Sequence, residues 1–235
     1  MYDLGIIGGM GPEATVEVFR RIILYAKADE DQEHMNICVL NIASIPDRSQ
    51  AINTNNYELI IHLNKAIEDL RQLGIKRYII ACNTAHYFVS KLKKYDDLIF
   101  IDMVLETVKY IKSKGIIEAI ILGTTGGNLI YKRVLGEVGI KVRPLDEKTQ
   151  NKITKTIYDI KKNGVRKSHK DFIPTVITEL IDNDLEQICI LGCTELSLLK
   201  EVSYKRLPVI DPVDVVVIEA IKKCGFHVKD KYKAI

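Results

Sequence analysis

The chain has 235 residues, 47% of them hydrophobic and 28% charged, enough to bury a real core in one large domain or two modest ones. Its 34 basic and 31 acidic residues leave a formal charge of only +3, spread along the chain, which argues against a nucleic-acid partner. No apolar run reaches the ~20 residues of a membrane span, no charged leader precedes a long apolar stretch, and five cysteines without framework or C-x-x-C spacing argue against disulfides and zinc. A cytoplasmic protein with no membrane partner is expected.

In chain order, short β-branched runs alternate with amphipathic stretches of helical length. "LGIIGG" (4–9) leads into a helix over 12–28, and "ICVLNIA" (37–43) precedes a helix over 57–74. "YIIAC" (78–82), "IFI" (99–101), "AIILG" (119–123), "KVRPL" (141–145), "ICILGC" (188–193) and "PVI" (208–210) read as further strands, and a helix over 213–225 closes the pattern. Gly74 and Gly115 sit where helices would end, Pro12 and Pro212 where first turns would begin. The alternation predicts an α/β protein with mainly parallel sheets.

The two halves run in parallel. The first opens with a strand into "GGMGPEAT" and later reaches "YIIACNTAH"; the second opens with a strand into "GTTGGN" and later reaches "ICILGCTEL". An internal duplication follows, with one domain over 1–102 plus 208–235 and the other over 103–207, the final strand and helix returning to the first.

Cys82 and Cys193 each end an apolar strand and precede a polar turn. In open α/β sheets ligands bind beyond the carboxyl ends of strands, and helix starts there favour thiolate over thiol. Across a pseudo-twofold axis the pair would face one cleft, where one thiol could remove a proton from one face of a carbanion and the other return it on the opposite face. A cysteine ending a strand is more often only packing. That reading is adopted for Cys38, Cys189 and Cys224; for the paired turns packing and function both stay open. The glycines of "GIIGGMGPEAT" match neither G-x-G-x-x-G nor G-K-[ST], so the loop is read as backbone that admits a small carboxylate or amine, with Met10 and Pro12 on the pocket wall.

The blocks "GIIGGMGPEAT" (5–15), "SIPDRSQAI" (44–52), "ACNTAH" (81–86) and "GCTEL" (192–196) resemble, in order and over essentially the whole chain, the aspartate/glutamate racemase superfamily, the aspartate racemase branch most closely. The resemblance implies two Rossmann-like domains related by pseudo-twofold symmetry, a homodimer, and racemisation of a free amino acid with neither pyridoxal phosphate nor metal. It makes Cys82 and Cys193 the paired catalytic thiols and Arg48 a carboxylate-binding residue, a role that suits a guanidinium fork. It puts a second basic contact on Lys162, although "KK" before glycine is also ordinary helix-end charge.

Asn83, Thr84 and Thr194 follow the cysteines and can supply donors, and Thr124 matches a family threonine near the amino acid. Gly127 followed by Asn128 stands where many members carry another threonine. Glu195 could tune the second thiol, and His86 is assigned to structure. Aspartate is the expected substrate, with glutamate or a broader amino acid range as the alternative. Hydantoin racemisation and maleate isomerisation fit the "PDRS" and "GGMGPEAT" blocks less well, and a binding module without turnover is the rival of another class.

Overall fold

The computed structural model describes residues 1–181, 186–199 and 208–233. Every strand run read from the sequence is a strand. The first sheet holds β1 (Leu4–Gly8), β2 (Ile37–Asn41), β3 (Arg77–Ile80) and β4 (Ile99–Phe100); the second holds β5 (Glu118–Leu122), β6 (Lys141–Arg143), β7 (Gln187–Leu191) and β8 (Val209–Ile210). All pairings are parallel, in the orders β2-β1-β3-β4 and β6-β5-β7-β8, so the second sheet repeats the first strand for strand.

Helices cover both sheets. In the first half these are α1 (Pro12–Tyr25), α2 (Arg48–Thr54) and α3 (Leu59–Gln72), with a 3₁₀ segment over Thr84–Lys91. Then follow α4 (Met103–Ser113), α5 (Thr125–Glu137), α6 (Glu147–Asn163), α7 (Lys167–Leu180), the single turn α8 (Thr194–Ser197) and α9 (Pro212–Lys223). The central strands β1 and β5 are buried along their whole length, which is why they read as unbroken apolar runs. Pro12 and Pro212 occupy first turns, and Gly74 and Gly115 end helices with φ of 74° and 71°. Asp102 and Asp211 cap α4 and α9 through their side chains. No helix among the described residues is long and apolar enough to cross a membrane.

The chain's return to the first half differs from expectation. The strand placed with the first domain at 208–210 pairs instead with β7, Cys189 opposite Val209 and Ile190 opposite Ile210. A three-residue apolar run carries no signal for one sheet over the other, and the open edge of β7 takes it. Only α9 goes back: Val213, Val216, Val217 and Ile221 pack with Leu4, Ile6, Val18 and Ile22, while Val215 joins the core of α4 and α5. A helix apolar on nearly every side is thereby buried between the two halves. Residues 200–207, at the expected boundary, lie outside the described residues.

Two contacts fix the halves against each other. At one end Thr84 Oγ1 and Ser49 Oγ lie 3.2 and 3.1 Å from Thr124 Oγ1, and Tyr131 donates its hydroxyl to Asn83 Oδ1 at 2.8 Å. At the other, the buried Arg21 on α1 reaches Asp211 and Asp214 at 2.6 and 2.7 Å and donates to the carbonyl of Ser197, the last residue of α8.

Candidate active site

The repeated strand order explains the repeated cysteine. β3 and β7 are the third strands of their sheets, each flanked by the corresponding neighbours, and Cys82 and Cys193 stand two residues beyond their ends. Both thiols are 5% exposed, and each lies within the other's electrostatic reach. The helical environment expected to favour thiolate is weak, because Cys82 leads into a 3₁₀ segment and Cys193 into one turn of α-helix. At Cys193 burial and the neighbouring Glu195 carboxylate raise the thiol's pKa well above normal, and Lys161 offsets this only in part. Its Sγ–H donates to Glu195 Oε2 at 2.8 Å.

Arg48 opens α2 and is 7% exposed. Nη1 donates to the carbonyls of Ile45 and Pro46 at 3.2 and 3.0 Å, and Nη2 to that of Met10 at 2.7 Å. Its buried Nε has no partner among the described residues. Burial opposes the guanidinium charge, but Cys82 and Asp47 outweigh it and raise the pKa. The glycine loop makes this approach possible. Gly9 has φ of 92° with the Ile42 backbone against it, and its N–H donates to Thr15 Oγ1 at 2.8 Å, folding the loop back so that the Met10 carbonyl faces Arg48.

The second basic contact expected at Lys162 has a neighbour on the same cleft. Lys162 is exposed at the end of α6; the side chain turned between the halves is its neighbour Lys161, 3.8 Å from Glu195 Oε1. Burial disfavours the ammonium, but Glu195, Cys193 and Cys82 together raise its pKa. The signal was in the helix period: the buried face of α6 runs through Ile153, Ile157 and Ile160, and Lys161 lies four residues after Ile157 on that face.

Met10, Arg48, Lys161 and Glu195 line one cleft of about 610 Å³ between the halves. Lys162 is at its rim. Thr84, Thr124, Asn83 and Thr194 are all buried around the cysteines, but the hydroxyls of Thr84 and Thr124 are engaged with each other and Asn83 Oδ1 with Tyr131. Asn83 Nδ2 has no hydrogen-bond partner among the described residues. Gly127 has a packing reason: a Cβ there would stand 2.6 Å from the Gly192 carbonyl oxygen. His86 fills a structural role, with Nδ1 2.8 Å from the Cys82 carbonyl and Nε2 accepting the Met103 N–H at 3.2 Å, an arrangement that selects the Nδ1–H tautomer. No group of three or more His, Cys, Asp or Glu side chains among the described residues is arranged to hold a metal ion.

A family model described as Asp/Glu/Hydantoin racemase matches residues 7–220. The chain belongs to this family. The racemase fold extends through the solved structures: the aspartate racemase of Picrophilus torridus superposes with a TM-score of 0.87 at 29% identity, covering 98% of this chain and 97% of that one. A glutamate racemase from Francisella tularensis, in complex with D-glutamate, shares the fold at a TM-score of 0.64 and 19% identity, over 94% and 80% of the two chains. Among curated relatives, the broad specificity amino-acid racemase RacX of Bacillus subtilis (strain 168) is 27% identical over 220 residues, which are 88% of this racemase-family chain and 92% of RacX.

Proposed function

We propose that the protein racemises a free acidic amino acid, aspartate first, by exchanging the α-proton between Cys82 and Cys193, as a cytoplasmic homodimer. The observation that carries this reading is the placement of two buried thiols at matching strand ends, beside a cleft with Arg48 on one side and Lys161 on the other. Two cations suit two carboxylates, and Arg48 Nε, without a hydrogen-bond partner among the described residues, is a donor for the α-carboxylate.

In the resting protein Cys193, with its raised pKa, is the acid. Cys82 as thiolate takes the α-proton and becomes a thiol; the electron pair spreads into the α-carboxylate beside Arg48; Cys193 delivers its proton to the opposite face and becomes the thiolate. The reverse assignment serves the other enantiomer. Lys161 stabilises Cys193 once it is charged, and burial of the pair keeps water from competing for the carbanion.

The test is proton NMR in deuterated buffer with aspartate, glutamate and a neutral panel, followed by chiral chromatography. Deuterium at Cα with formation of the other enantiomer, abolished in Cys82→Ser and Cys193→Ser, is the expected result. A wild type that binds amino acids yet exchanges nothing would overturn the catalytic reading. The similarity to RacX favours a second outcome in which neutral amino acids also exchange.

A further inference from the structure

We infer that Glu195 is the receptor for the substrate's α-ammonium group. The inference rests on the proposed reaction and adds the third point of attachment that reaction needs.

Glu195 is 3% exposed, and its two oxygens have different surroundings. Oε2 accepts the Cys193 S–H, whereas Oε1 has no hydrogen-bond donor among the described residues. Lys161 Nζ, at 3.8 Å, is beyond hydrogen-bond length. A buried carboxylate oxygen without a donor is costly to keep, and in a ligand cleft the missing donor is the ligand's own. The loop across the cleft leaves room beside this buried oxygen, since a Cβ at Gly11 would stand 3.0 Å from Oε1.

The charges then account for the whole substrate. Of the charged residues lining the cleft, Glu13 and Lys162 are exposed and the half-buried Asp47 caps α2, so that Arg48 and Lys161 are the positive groups turned inward and Glu195, beside the thiol that addresses Cα, is the buried carboxylate. An acidic amino acid carries the complementary set of two carboxylates and an ammonium bonded to Cα. A dicarboxylate without the amine would satisfy the cations and leave Oε1 bare. Neutralising Glu195 on binding also removes part of the like-charge opposition to a thiolate at Cys193, so occupancy by the right ligand prepares that thiol to give up its proton.

Isothermal titration of racemic aspartate, whose composition turnover cannot change, is compared with titration of succinate. The proteins are wild type, Glu195→Gln and Gly11→Ala. Glu195→Gln keeps the shape and an acceptor for the thiol, and is expected to weaken aspartate on the order of 10- to 100-fold while leaving succinate within about threefold. Gly11→Ala, at an extended backbone position open to alanine, is expected to produce the same selective loss. Equal weakening of both ligands, or no weakening of either, overturns the assignment. If Glu195→Gln does not fold, Gly11→Ala decides by the same criterion. If wild type binds neither ligand, the dicarboxylate reading falls and this inference with it; wild type binding both, with unchanged selectivity in the variants, sinks the inference alone.

Discussion

Cys193 Sγ lies 2.8 Å from Glu195 Oε2, the thiol donating and the carboxylate accepting. Burial and this anionic neighbour both favour the neutral thiol, so Cys193 stays protonated at pH values where an exposed cysteine has ionised.

The pH profile of kcat/KM follows from that pair. In the proposed two-thiol reaction activity requires one thiol and one thiolate, so that ionisation of Cys193 ends it on the alkaline side. Replacing Glu195 by Gln removes the like charge, lowers the Cys193 pKa, and shifts the alkaline limb toward lower pH by about one unit or more. A profile measured on both proteins with saturable substrate checks this; an unmoved limb would show that Glu195 does not control the thiol.

Adjacent lysines on α6 should behave differently. Lys161→Met removes a partly buried cation from the cleft and is expected to raise KM for aspartate on the order of 100-fold. Lys162→Met alters an exposed side chain and is expected to leave KM and kcat within about twofold of wild type. Steady-state kinetics on the two variants decides between them, and the opposite ranking would restore the assignment read from sequence.

Arg21 is predicted to matter for stability far more than its neighbour on the same helix. It is 2% exposed and contacts Asp211, Asp214 and the Ser197 carbonyl, so Arg21→Met leaves two buried carboxylates without their cation, a loss of about 3–5 kcal/mol. Arg20 forms its ion pair with Glu17 at the surface, and Arg20→Met should cost under about 1 kcal/mol. Urea unfolding of both variants measures the difference.

Much of this architecture is legible in the residues because strands buried on both faces must be continuously apolar, and helices between them must be amphipathic. The paired cysteine turns are legible for the same reason: their strands are equivalent in the two sheets. Pairing of β8 with β7 is not, since a strand of two residues holds no information about its partner. The resemblance put the second basic contact on Lys162, whereas the period set by Ile153, Ile157 and Ile160 separates the two lysines and turns Lys161 toward the buried face. Arg21 carried a similar signal, a charge on the stripe of Ala14, Val18, Ile22 and Tyr25, but its carboxylate partners lie 190 and 193 positions away and only the fold joins them.

The chemically unequal thiols, one beside Arg48 and the other bonded to Glu195, have a thermodynamic limit. Free amino acid enantiomers are mirror images with the same energy, so their equilibrium constant is one whatever the catalyst. The Haldane relation then obliges kcat/KM to be equal in the two directions. Differences between the flanking residues of Cys82 and Cys193 can change kcat and KM for one hand only if both change together. In the proposed two-thiol reaction one cysteine can therefore be the better resting acid without the protein becoming a one-way device.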